Sequence, residues 1–466
     1  MSITAAMNTA ISGLTAQSYA MGNISGNIAN AHTPGYKRID TSFADLVTDQ
    51  GPKRAMAGPV LAEARFTTSL QGPLNSTGVA TNMAINGSGF FTVMQRTSDS
   101  GAGQSLYTRR GDFGIDKDGY LVNGTGGHLL GNNLDPVSGR ITSSGLIKIA
   151  NASLPGRQTT KIDYAANLPK MPITTASAAG DSAPYAVPAA VVTDPSLSAP
   201  DLTKKVTGTA QVSAFLDKSI MGPSLAIYTS GGAPVSLSTR WAKVQDAAPS
   251  SAPPKNAIWN LFYASSSGAS KDSDWINVGS AFSFDSSGKF LPPASANVTR
   301  NGNASVKIPQ VTVDGAIIGD ITMNLGTGGL TQYAASAGTA TTSTLTQDGY
   351  AAGTLKSLSV SADGTIIGAF SNEMTAPVAT AGIVNFTNPN GLRAASGGNY
   401  EQTRDSGPPI AGLNGGTIVG GNIEGSNSDL ASQFSRLIAT QQAYSANVKV
   451  MTTSQQMMSE LLNAMR

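Results

Sequence analysis

The sequence predicts a mainly β protein with α-helical termini: N- and C-terminal coiled-coil helices, with nested β-sandwich or barrel domains inserted between them. Three observations predict it. Both ends carry apolar residues at alternating spacings of three and four, the mark of a helical seam. The interior alternates apolar and polar residues and turns repeatedly at Asp-Gly or Ser-Gly. No segment from 150 to 420 sustains a helical period.

The opening helix comes first. Ile3, Met7, Ala10, Leu14, Gln17, Met21, Ile24 and Ile28 form a heptad seam with one polar interruption, Gln17. About 28 helical residues would extend ~42 Å. Its other face is Ser, Thr, Asn, Gln and Ala, and the chain carries no Asp, Glu, Lys or Arg before Lys37. A face meant for bulk water usually carries Glu and Lys at i,i+4 spacing, so a neutral face suits copies of the same chain. Gly13, Gly22 and Gly26 each weaken this helix by roughly 1 kcal/mol relative to Ala. It is therefore expected to need partners, and to order only on polymerisation.

The stretch GNIANAHTPGYKR, residues 26–38, stops that helix. Asn27 and Asn30 suit its last turn and C-cap, because Asn tolerates the left-handed conformation. Pro34 forces Thr33 into an extended conformation, and Pro34-Gly35 favours a type II turn. Tyr36, Lys37 and Arg38 then read as the start of an ordinary, solvent-facing surface.

Inside the chain, FGIDKDGYL, FSFDSSGKF and LSVSADGTI read as hairpins, and VTVDGAIIGDI and ITMNLGTGGLTQY as half-buried strands. The order helix, linker, strands, linker, helix requires the chain to go out and return, with each domain inserted in the one before. Asp116-Lys117-Asp118-Gly119 reads as a turn, since it lacks the third oxygen ligand and the Glu of a calcium loop. At the far end Leu430, Phe434, Leu437, Gln441, Tyr444, Val448, Met451, Gln455, Met458, Leu462 and Met465 repeat the alternation of the opening helix. The interrupting Gln17, Gln441 and Gln455 are expected either to set register or to face a lumen.

Composition narrows the function. The 466 residues are 40% hydrophobic and only 12% charged, about half the usual charged share. A net charge of +2 without Lys/Arg runs gives no footing for nucleic acid or an anionic membrane. With no Cys there are no disulfides or thiolate metal sites. His32 and His128 are the two histidines, so a Ser-His-Asp triad would have to use one of them; one sits in the helix-stop turn and one in what reads as a strand connection, and neither is read as catalytic. No phosphate-binding loop occurs among the Gly-rich segments. No catalytic, cofactor-binding or metal site is expected, no small-molecule substrate, and the protein is not read as an enzyme. The N-terminus lacks the basic and apolar regions of a cleaved signal peptide.

The run SGLTAQSYAMGNISGNIANAHTPGYKR resembles the N-terminal signature of the bacterial flagellar axial family of rod and hook proteins, with its Asn-x-x-Asn and Thr-Pro-Gly-Tyr-Lys elements. The closing run from GNIEGSNSDLASQF to the end is similar to that family's C-terminal signature, with Ser-Asn-x-Asp-Leu and Gln-x-Ala-Tyr elements. AINGSGFFTV, YTRRGDFGIDKDGYLVNGTGGHLLG and the stretch 363–403 resemble its inner β-domain. About 200 residues between Ile147 and Gln347 form an insertion that favours the hook branch over the shorter rod branch. His32 stands where the family's turn commonly has Asn.

The resemblance implies a division into 1–32 with 426–466 (helical inner domain), 33–70 with 405–425 (linkers), 71–146 with 348–404 (inner β-domain) and 147–347 (outer β-domain, one or two subdomains). It implies a structural subunit that self-assembles into a curved hollow helical tube, a flexible universal joint transmitting torque from rod to filament. Implied partners are copies of itself, the distal rod protein, the hook cap, the hook-filament junction protein, the hook-length control protein and the flagellar type III export apparatus. The implied place is extracellular, in the hook of the basal body, reached without a cleaved signal peptide. Self-assembly would use the seam residues of both terminal helices, and Asn27, Asn30, Thr33, Pro34, Gly35 and Tyr36 would form the helix stop and linker turn. An insertion-bearing distal rod protein and a secreted trimeric β-rich adhesin are the alternatives.

Overall fold

The computed structural model describes residues 3–45, 59–96, 103–149, 152–186 and 205–464, with short gaps at 253, 270–271, 294–295, 299–302, 327–328 and 336. Met465 of the closing seam and the 46–58 part of the first linker lie outside the described residues. The chain is mostly strand. Its described α-helices are α1 (Ile3–Ala29), α2 (Thr175–Ala178), α3 (Thr209–Asp217) and α4 (Leu430–Ala464). None is long and apolar enough to cross a membrane.

Two compact units divide the chain: Met1–Ser153 with Thr354–Arg466, and Leu154–Gly353. In the first unit α1 and α4 pack together along their length. The chain leaves α1 through a two-stranded antiparallel ribbon, Ile39–Asp45 with Val60–Phe66, which lies back against the same helix. Strands from the two halves of the chain then interleave. Leu74–Ser76 pairs with Asn422–Glu424, Met83–Asn86 with Thr417–Gly420, and Phe90–Arg96 with both Gly103–Thr108 and Ile383–Asn385. Phe90, Tyr107, Phe386, Leu392 and Tyr400 fill a core of this unit, with edge-to-face rings 4.8–5.8 Å apart.

In the second unit, a sheet containing Lys161–Asn167, Ala304–Val313 and Ala316–Gly326 shares one hydrophobic core with a sheet containing Ser219–Tyr228, Pro234–Gln245, Ala257–Ala264 and Trp275–Phe284. Alternation along Ala304–Val313 and Ala316–Gly326 sends Val306, Ile308, Ile321 and Met323 inward. α3 covers the other face of the second sheet through Val212 and Phe215, against Phe262 and Trp275. The sequence reading has no helix in this region. With two fully buried side chains in nine residues, α3 carries too short a stripe to announce itself.

The three hairpins form at FGIDKDGYL, FSFDSSGKF and LSVSADGTI. The same device closes each: Asp116 accepts the amides of Asp118 and Tyr120, Asp285 those of Ser287 and Lys289, and Asp363 that of Thr365.

Candidate functional site

The helix stop is built as its sequence requires. The Tyr36 amide donates to the Thr33 carbonyl at 3.3 Å, and Gly35 between them has φ 67°. A side chain there would be strained, and its Cβ would lie 2.7 Å from the Arg110 amide nitrogen. Only glycine lets the turn seat against the strand end at Arg109-Arg110. Asn30 bonds back to the Gly26 carbonyl at 3.0 Å and accepts from the Thr33 hydroxyl at 3.1 Å.

Asn27 serves a larger purpose than ending a helix. It is 1% exposed, and its side chain donates to the Ile39 carbonyl (2.9 Å) and to Gln433 Oε1 of α4 (3.3 Å). Its Oδ1 accepts from the Tyr36 hydroxyl (3.1 Å) and the Ile39 amide (2.9 Å), and the Ser428 hydroxyl bonds its carbonyl at 3.0 Å. One side chain therefore ties α1, the turn, the ribbon and α4. Burial pushes the Tyr36 phenol up.

The expectation that Lys37 begins a solvent-facing surface is wrong. Lys37 is 4% exposed, and its ammonium pairs with Glu424 and donates to the Leu70 carbonyl at 2.6 Å. Glu424 is 0% exposed; it also accepts the Gly72 amide at 2.8 Å and Arg109 at 3.3 Å. Arg109, 2% exposed, lies 5.2 Å from the Phe90 ring. Burial pulls the Lys37 ammonium below its usual range, opposed by the Glu424 carboxylate; burial likewise lowers Arg109. Two buried cations share one carboxylate. Beside them Asn427 accepts the Arg38 amide (2.7 Å) and reaches the Thr67 hydroxyl (3.1 Å) and Leu70 carbonyl (3.2 Å).

Sequence reasoning missed Lys37, Arg109, Glu424 and Asn427 as a group, although each lies in a quoted motif. A signal was available. Lys37 ends a chargeless run of 36 residues, and Glu424 is the one charged residue between Asp405 and Asp429. An isolated charge in so neutral a setting has a specific partner or a specific cost.

Most of the buried positions of α1 are small residues. The buried positions of α1 are Ala10, Gly13, Ala16, Ala20, Ile24 and Asn27; of α4, Gln433 and Ser454. Of the seam read from the sequence, Ala10 and Ile24 are buried, while Ile3, Met7, Leu14, Gln17, Met21 and Ile28 are half-buried. On α4, Leu430, Leu437, Val448, Met451 and Met458 are half-buried. Phe434, Gln441, Tyr444, Gln455 and Leu462 are exposed, as are Ile438 and Leu461 outside the seam. Arg436 anchors the base of α4 to Asp40 of the ribbon at 2.6 Å.

His128 stands in the strand Gly127–Leu134 rather than in a connection, with Nε2 3.7 Å from Asp116 and its ring beside Tyr120. Among the described residues no group of three or more His, Cys, Asp or Glu could hold a metal ion.

The chain combines paired terminal helices, a discontinuous β unit and a second β unit inserted in it, and models of flagellar axial proteins match along it. Residues 7–37 match the family described as "Flagella basal body rod protein", 84–163 the "Flagellar hook protein FlgE/F/G D1 domain", 221–350 the "Flagellar basal body protein FlaE D2 domain" and 419–464 the "Flagellar basal body rod FlgEFG protein C-terminal". The chain is 30% identical over 476 residues to the flagellar hook protein FlgE of Brucella suis, covering 100% of both, and 26% identical over 468 residues to that of Escherichia coli, covering 98% and 99%. The crystal structure of Helicobacter pylori flagellar hook protein FlgE2 aligns at 18% identity and TM-score 0.48, over 74% of this chain and 98% of that one. The chain belongs to the FlgE family of flagellar hook and rod proteins. Proteins of this family are structural, and this one is not an enzyme.

Proposed function

We propose that the chain is the hook subunit, polymerising through α1 and α4 into a curved hollow helical tube that works as a universal joint between rod and filament. One observation carries this reading: α4 leaves Phe434, Ile438, Leu461 and Leu462 between 50% and 60% exposed, while the outward face of α1, through Ile11, Thr15, Ser18 and Gly22, is exposed and chargeless. Exposed apolar side chains at both ends of α4, and a neutral exposed face on α1, are costly in water and suited to burial between copies. Heterologous contacts of this kind give an open helix when the rotation between copies does not close.

In this reading the seam residues Ile3, Met7, Leu14, Gln17, Met21, Ile24 and Ile28, with Leu430, Phe434, Leu437, Gln441, Tyr444, Val448, Met451, Met458 and Leu462, build a coiled-coil inner layer. The turn from Asn27 to Tyr36 and the linkers 33–70 and 405–425 join it to an inner domain (71–146 with 348–404) and an outer one (147–347), each a β-sandwich or barrel. Export through the type III apparatus would deliver the chain outside the cell. The distal rod, hook cap, hook-filament junction and hook-length control proteins would be its neighbours there.

The test is electron microscopy of the purified chain after induced polymerisation, with circular dichroism before and after. Curved hollow tubes whose subunits keep the helix content of the monomer support the reading. Straight rigid tubes would assign the chain to the rod, and closed trimers would refute tubular assembly.

A further inference from the structure

Lys37, Arg109 and Glu424 carry a conformational inference independent of polymerisation. Lys37 and Arg109 lie on the outgoing half of the chain, and Glu424 lies 315 residues beyond Arg109 on the return strand. All three are at most 4% exposed. Without Glu424 the site would hold two buried cations facing each other, with the carbonyls of Leu70 and Ile85 as their only other named acceptors. An unpaired buried charge is among the most costly arrangements a fold can contain. The Gly72 amide would lose its acceptor too.

We propose that this three-charge cluster is a folding-order device: the outgoing strands around Arg109 are kept from closing into their native packing until Asn422–Glu424 returns with the carboxylate. The strand pairings already make the inner unit discontinuous, since Leu74–Ser76 and Met83–Asn86 find their partners in Asn422–Glu424 and Thr417–Gly420. The strands Phe90–Arg96 and Gly103–Thr108, however, form a local hairpin that could close early. Arg109 directly follows that hairpin, and seating it in its native packing beside Lys37 before Glu424 arrives would bury two like charges, which penalises that closure. A partly delivered chain therefore stays open, and the complete chain closes at once.

The test is pulsed hydrogen exchange during refolding of the full-length chain at concentrations where it stays monomeric. In the native sequence, amides of Phe91–Met94 and Leu106–Thr108 should gain protection together with those of Asn422–Glu424. In the triple variant Lys37→Met, Arg109→Met, Glu424→Leu, which keeps volume but removes the charges, the hairpin amides should gain protection at least ten-fold faster than the return strand. Early hairpin protection in the native chain, or the same order in both chains, would overturn the proposal. So would a triple variant that cannot fold, because the cluster would then be a stabiliser and not a gate.

Discussion

The indole N–H of Trp241 donates to the Tyr164 hydroxyl at 3.1 Å, and the two rings stack at 6.4 Å across the core between the two sheets of the inserted unit. Trp241 is 0% exposed, so no water can replace that acceptor. Tyr164→Phe should destabilise this unit by about 1–3 kcal/mol, the cost of an orphaned buried donor. A urea melt followed by tryptophan fluorescence would show a lower midpoint with unchanged slope; an unchanged midpoint would mean the bond contributes nothing.

Neutralising Glu424 should act on the other unit. Glu424→Gln leaves Lys37 and Arg109 buried without a counter-charge, and a cost of about 3–5 kcal/mol is expected. Proteolysis or calorimetry resolving the two units should show the Met1–Ser153 and Thr354–Arg466 unit melting early, with the inserted unit unmoved.

Acid should act on the inserted unit through Asp348. Its carboxylate accepts the amides of Thr160 and Lys161, each at 2.8 Å, and the Thr160 hydroxyl at 2.7 Å. Burial pushes its pKa up, but these hydrogen bonds outweigh burial and hold it below the usual carboxylate range. A depressed carboxyl stabilises the fold fully above its unfolded pKa, and that contribution fades as pH falls through the folded value. Stability of this unit should thus drop below about pH 4. Asp348→Asn should be less stable at pH 7 by about 1–2 kcal/mol and show a flatter acid limb in pH-dependent melts.

Phe434 separates folding from assembly. It is 51% exposed in the subunit, so Phe434→Ser should change subunit stability by no more than about 0.5 kcal/mol. Sedimentation of the polymer should nonetheless show a raised critical concentration. Equal polymerisation by the two chains would remove Phe434 from the interface.

Two glycines of α1 should respond oppositely. A Cβ at Gly13 would lie 2.9 Å from Asn447 Nδ2, while at Gly22 it would meet nothing within 4 Å. Gly22→Ala should stabilise the subunit by about 0.5–1 kcal/mol through helix propensity. Gly13→Leu should force α1 and α4 apart and lower the melting temperature seen by circular dichroism.

What the sequence makes legible is whatever repeats locally. The terminal helices follow from alternating three and four spacing, and the hairpins from Asp-Gly and Ser-Gly after alternating runs, because those signals lie within a few residues of each other. The burial of Lys37 does not, because its counter-ion is 387 positions away and nothing near TPGYKR encodes it. Likewise, period alone cannot tell which flank of a helical stripe meets its partner. On α1 the buried positions go mostly to Ala and Gly, whose small size a hydrophobic period does not single out. The ribbon Ile39–Asp45 with Val60–Phe66 falls where the sequence suggests a linker: its strands are mixed in polarity, and residues 46–59 separate them, so no two-residue hairpin turn marks their pairing.

The polar bonds around Asn27 cluster at one end of the helical pair. Ser428, Gln433, Arg436 and Asp40 join it there, and further along α1 Asn23 donates to the Thr41 hydroxyl of the ribbon at 2.9 Å and Ser12 accepts the Val60 amide at 3.2 Å. In mechanical terms the pair is a beam whose densest clamp is at its root. α4 has 35 residues and α1 has 27, so eight residues, ~12 Å of helix, are unmatched. A sideways load on the pair would be resisted most stiffly at that root, where Asn27 alone bonds the turn, the ribbon and α4.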